Sequence, residues 1–161
     1  VSIRSDIVDD LLAAVQQVTV ANGYRTDLGL NVRHWLDGDP GFERTQQGCV
    51  VRVLGGAPTE QASGTTQQVL RVSLHAWKLH RVREQGQHDG AFAVLEPLLA
   101  DLEQAVAADY SRGGRAYDTR FGTYDFVEER GDSEVLLRVD LDLEVVFPHD
   151  YGDPESYGGG D

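Results

Sequence analysis

The sequence predicts an α+β domain: a mostly antiparallel sheet of about five strands with two helices on one face, in the order α-βββ-α-ββ. Three patterns predict it. Ile7, Val8, Leu11, Leu12, Val15 and Val18 follow the i, i+4, i+8 spacing of a single helical stripe. Val69 to Leu79 and Val135 to Phe147 instead alternate apolar and polar residues, as strands with one buried face do. A second helical stripe, Phe92, Leu95, Leu99, Leu102 and Val106, falls between those two strands.

The first helix is expected over roughly residues 3–20. Ser2 or Ser5 offers a cap, Asp6, Asp9 and Asp10 complement the positive end of the dipole, and Asn22-Gly23 is a left-handed stop. Leu30 to Leu36 reads as a short mixed strand. Cys49 to Leu54 reads as a compact apolar strand, interrupted by Arg52 and closed by Gly55-Gly56. In Val69 to Leu79, Leu70, Val72, Leu74 and Ala76 share one face, and Arg71, Ser73 and His75 share the other. Two polar loops separate these strands, Asp37 to Gly48 and Gly55 to Gln68. The second, about 14 residues without periodicity, is expected to be mobile in the isolated protein and to order on assembly.

The second helix is expected over residues 89–109, with Asp89 as cap and a kink or restart near Glu96, because Pro97 lacks a backbone donor. Arg112-Gly113-Gly114-Arg115 breaks the chain, and Gly113-Gly114 reads as a flexible connector. Tyr117 to Glu128 is a strand of mixed character. The last strand is the clearest element. Val135, Leu137, Val139, Leu141, Leu143, Val145 and Phe147 alternate with partners that include Arg138, Asp140, Asp142 and Glu144, and Pro148 is expected to end it. Residues 1–149 form a single domain on this reading, and 150–161 an extended polar arm with no apolar face.

Composition limits the function. A chain of 161 residues, 40% hydrophobic and 25% charged, is an ordinary globular domain. Its net charge of −13 opposes general binding to nucleic acid or an anionic membrane, which requires clustered Lys and Arg. The charge is uneven: from Asp132 to Asp161 nine carboxylates face only Arg138, a net of −8. The 13 Arg and single Lys match the scarcity of Ile and Asn, so genome composition accounts for the Arg preference. One cysteine excludes a disulfide framework and a Cys-rich zinc site. No apolar run approaches the roughly 18–20 residues of a membrane span, and no charged leader precedes one. A soluble protein without a membrane partner is expected.

Few residues suggest chemistry. Asp140-x-Asp142-x-Glu144 puts three carboxylates about 6–7 Å apart on one strand face. Convergent carboxylates hold Mg²⁺ or Ca²⁺ in two-metal enzymes, whereas a flat row is the solvated side of a half-buried strand. The second reading is preferred. His34, His75, His80, His88 and His149 show no metal-site spacing, and Cys49 sits among apolar neighbours as a small hydrophobe. No glycine run forms a dinucleotide or phosphate loop. No catalytic, cofactor-binding or metal-binding residue is therefore expected. The basic stretch Lys78 to Arg83 reads better as one side of a protein contact than as a phosphate site. Lys78, Arg81, Arg83, Arg112, Arg115 and Arg120 lie in two connectors, apart from the acidic Asp140, Asp142, Glu144, Asp150 and Asp153. Between identical subunits such separation provides complementary patches, so these eleven residues are the interface candidates.

One segment is more specific. An amphipathic helix followed by Val20-Ala21-Asn22-Gly23-Tyr24-Arg25-Thr26-Asp27-Leu28-Gly29 and a short strand resembles the opening of tailed-bacteriophage tail terminator proteins, also called tail completion or minor tail proteins. The ending is similar too: a long alternating strand, Phe147, then Asp150-Tyr151-Gly152-Asp153-Pro154. The middle, Asp37 to Gln68, carries no resemblance. The resemblance implies a structural virion protein, assembled in the host cytoplasm, that forms a homo-oligomeric ring, usually a hexamer, at the head-proximal end of the tail. Its implied partners are further copies of itself, the tail tube protein and the head–tail connector or neck protein. Genomic DNA would pass through the ring without specific binding, which suits an acidic pore. The alternatives are a neck or head-completion protein of the same virion, a carboxylate-dependent metal enzyme built on Asp140, Asp142 and Glu144, and a cellular adaptor unrelated to phage.

Overall fold

The computed structural model describes residues 2–35, 46–59, 66–81 and 90–149. Helix α1, Ile3–Gln16, starts where the Ser2 hydroxyl accepts a hydrogen bond from the Ser5 amide, and it buries Ile3, Ile7, Val8, Leu11 and Val15. It ends short of residue 20. Val18, Thr19 and Val20 are β-branched, and the Thr19 hydroxyl takes the Asn22 amide, giving the backbone an alternative to another helical turn. The Asn22-Gly23 signal instead closes a separate 3-10 turn, Val20–Asn22, with Gly23 at φ 90°.

Strand β1, Val32–His34, is shorter than expected and pairs parallel with β2, Gln47–Pro58. β2 pairs antiparallel with β3, Thr66–Arg81, which pairs antiparallel with β5, Glu134–His149. β4, Asp118–Arg130, closes the other side, so the strand order is β1-β2-β3-β5-β4. The expected α+β architecture and element order are those observed.

The expected loop from Gly55 to Gln68 is a correction. Gly55 to Pro58 continue β2 and pair with Arg71 back to Gln68, while Thr66 to Gln68 open β3 against β5. Gly55-Gly56 marks a bulge: the register shifts between Val53 and Gly55, and Gly55 has φ 125°. The glycines bend the strand without ending it, and Pro58, lacking a donor, is tolerated on an edge. Half of that stretch is therefore paired strand rather than structureless loop; its residues 60–65 lie outside the described residues. β5 likewise runs through Pro148, which pairs with Gln67, to His149.

Helix α2, Ala91–Ala107, buries Leu95, Leu98, Leu99, Leu102, Ala105 and Val106. Its cap is Gly90 rather than Asp89, which lies outside the described residues. Pro97 sits inside one continuous helix, without the expected restart. The carbonyl it deprives of a partner belongs to exposed Ala93, where water can serve instead. Phe92, expected on the buried stripe, is exposed.

Both helices pack on one sheet face. Their apolar residues join Cys49, Val51, Val72, Leu74, Ala76, Leu137, Val139, Leu141, Leu143, Val145 and Phe147 in one core. The opposite face carries a smaller cluster of Val50, Trp77 and Leu136 with Trp35 and Leu79. Among the described residues no helix is long and apolar enough to cross a membrane.

Candidate assembly surface

The sheet has two edges with different coverage. Among the described residues β1 pairs only with Cys49, Val50 and Val51, and β2 from Arg52 to Pro58 is exposed with no strand beside it on that side. At the other side, β4 is an edge strand of 13 residues, and from Arg120 to Phe126 every residue is exposed. Phe121, Tyr124 and Phe126 oppose Leu143, Leu141 and Val139 in register, so they continue the helix-side face of the sheet. α1 packs on β1 and β2 and α2 chiefly on β5 and β3, which leaves this aromatic row only partly covered, with Phe121 and Phe126 each 38% exposed. Phe92 meets Phe126 edge-to-face at 6.0 Å between centroids, yet Phe92 is 64% and Tyr124 54% exposed. Strands this long and open, with apolar side chains, are templates for another chain unless they are protected.

The interface candidates among the described residues stand in different environments. Arg112 is fully buried: its guanidinium lies 3.3 Å from Asp10 and donates to the carbonyls of Val106 and Asp109. Burial lowers its pKa, opposed by Asp10 and Asp109. The turn is built, not loose, since Arg112, Gly113 and Gly114 all have positive φ (50°, 71° and 85°). The Asp109 carboxylate accepts from the Ser111 hydroxyl and amide and from the Gly113 amide; the Ser111 hydroxyl leads the contacts that hold its pKa below the ordinary carboxylate value. Arg115 is half-buried, with Nε 3.8 Å from Asp6. These two arginines neutralise α1 within their own chain. Lys78 and Arg120 are exposed, Arg120 with Nε 3.1 Å from Asp118. The Arg81 backbone pairs with Glu134 at the end of β3. Its side chain, and Arg83, Asp150 and Asp153, lie outside the described residues.

The carboxylate row occupies the sheet face opposite the helices, but its members differ. Asp140 receives His75 Nδ1 at 2.5 Å and Arg138 Nε and Nη2 at 2.7 and 3.1 Å, while Arg138 Nη1 reaches Glu129 on β4 at 3.6 Å. Asp142 accepts the Thr123 hydroxyl at 3.4 Å, and exposed Glu144 stands between Arg71 and Arg120 in register. Burial raises the Asp140 pKa, but the hydrogen bonds from His75 and Arg138 outweigh it, and the net direction is down. A carboxylate so depressed contributes stability that is present above the ordinary value near 3.9 and lost as pH falls through the folded value. Asp140→Ala is expected to cost about 1–3 kcal/mol at neutral pH, because it removes the carboxylate shared by a buried imidazole and a partly buried guanidinium. Denaturant titrations at neutral pH and below pH 4 check this. The difference between variant and parent should shrink in acid; an equal difference at both would refute the assignment.

Cys49 is fully buried, and burial pushes its thiol pKa up, so it packs as a small hydrophobe. The Val20–Gly29 segment is tied down as a unit. Its Arg25 and Thr26 amides and the Thr26 hydroxyl donate to Asp101 of α2, and Asp27 accepts from the Val20 amide. A Cβ on Gly29 would stand 2.6 Å from the carbonyl oxygens of Val15 and Val18, so that close approach requires glycine. Sequence reasoning missed the β4 aromatics. Alternation alone separates Phe121 from Tyr124 and Phe126; the irregularity between Phe121 and Tyr124 is what puts all three on one face. No protein-family model matches the chain, and neither does any curated protein.

Proposed function

We propose that this protein is a structural virion component that assembles as a ring on the head-proximal end of a phage tail tube, stops tube growth and presents the surface on which the head connector docks. The observation that carries the reading is a sheet with an uncovered edge at each end, joined to a sequence whose opening and ending resemble tail terminators. A contact between two different surfaces, repeated by rotation, closes a ring. No catalytic role is part of the proposal. Asp140 is engaged by His75 and Arg138 within a strand-face network, an arrangement that serves stability.

A neck protein of the same virion is the second reading, and tail length separates the two. Lysates made without this protein are expected to contain tails longer than normal and lacking heads. Restoring it should return tails to a single length, measured by electron microscopy. Tails of normal length that merely fail to join heads would instead identify a neck protein.

A further inference from the structure

We propose that successive copies of this chain join edge to edge, with β4 of one copy pairing antiparallel to the Arg52–Pro58 segment of β2 in the next. This rests on the ring reading and specifies how the ring is made. Directions already alternate across β2, β3, β5 and β4, so β4 placed beside β2 of a neighbour continues the antiparallel sheet without a break. Both edges are exposed over a comparable length.

The two edges also differ in charge. Arg52 lies on the open face of the β2 edge, and the same face of β4 carries Asp118, Arg120, Asp125 and Glu129, which leaves it net acidic even though Glu129 also meets Arg138. Opposite charges on two different edges favour a head-to-tail contact between copies and oppose β4 meeting β4. On the helix side, an open groove of about 280 Å³ beside β2 is lined by the apolar Val8, Val53 and Leu70 together with Arg4, Asp9 and His34. The aromatic row of β4 lies on the matching face of its own sheet, so pairing would carry Tyr124 or a neighbouring ring toward that groove. One contact thus satisfies the main-chain edges, the aromatics and the charges of both ends.

Hydrogen exchange and native mass measurement on the full chain, across concentrations and on purified tails, test the proposal. The outward-pointing amides within Arg52–Ala57 and within Arg120–Phe126, those not already bonded to β3 or β5, are expected to exchange at least about tenfold more slowly in the assembled species than in the protomer. Tyr124→Lys, at an exposed site, is expected to keep the protomer's melting behaviour and weaken assembly by about tenfold or more. Rings whose two edges exchange as fast as in the protomer would overturn edge pairing and leave the ring reading standing. Protected edges in open filaments would support edge pairing and overturn the ring. A monomer with freely exchanging edges, both alone and on tails, would overturn both.

Discussion

Asp101→Ala is expected to cost about 3–5 kcal/mol of folding stability, a large share of what a domain of this size possesses. Asp101 is completely buried on α2 and accepts from four donors of a segment remote in sequence. Its two oxygens take the Arg25 amide at 3.1 Å, the Thr26 amide at 2.8 Å and the Thr26 hydroxyl at 2.7 Å, with the Arg25 guanidinium at 3.3 Å. Alanine removes every one of these acceptors, leaving two part-buried backbone donors without the carboxylate that orders them. At roughly 2–4 °C per kcal/mol for chains near this length, the melting temperature should fall by about 6–20 °C. Asp101→Asn keeps one acceptor oxygen and should fall between parent and alanine variant. Circular dichroism melts check both, and a loss below about 1 kcal/mol for alanine would show that the tie is dispensable.

Arg112→Met is expected to cost about 2–4 kcal/mol, and through the protomer rather than through assembly. The guanidinium closes the C-terminal end of α2 by donating to the carbonyls of Val106 and Asp109, and it faces Asp10 of α1. Methionine fills similar space without serving either carbonyl. The protomer itself should therefore melt earlier. Had Arg112 been an exposed contact residue, the variant would melt like the parent and fail only to assemble, so melting and native mass together separate the two roles.

The difference between these arginines and their expected role has a physical cause. Linear charge counting detects that Arg112 and Arg115 lie in a Gly-rich break, but not that the break folds back on α1, whose Asp6 and Asp10 were read only as dipole partners. The strand and helix order was legible because long periodic runs, such as Val135 to Phe147, admit one interpretation. Strand extent was less so. Gly55, Gly56 and Pro58 have poor intrinsic strand propensity, and β3, 16 residues long, holds them by main-chain pairing that no local pattern reports. Asp140 was visible as a member of a carboxylate row; its partners were not, because His75 and Arg138 meet it only once β3 and β5 are in register. Asp101 passed unnoticed as one polar residue on an amphipathic helix. The β4 aromatics look like core in sequence and become surface only because the two helices lie over other strands.

The head-proximal end of purified tails, averaged by electron microscopy with this protein identified in the density, tests the proposed role most directly. A closed ring of copies of this chain, seated on the last tube ring and with its sheet edges meeting between neighbours, is expected there. Tail ends that bear no such ring, in particles whose tails nevertheless have normal length and carry heads, would contradict it.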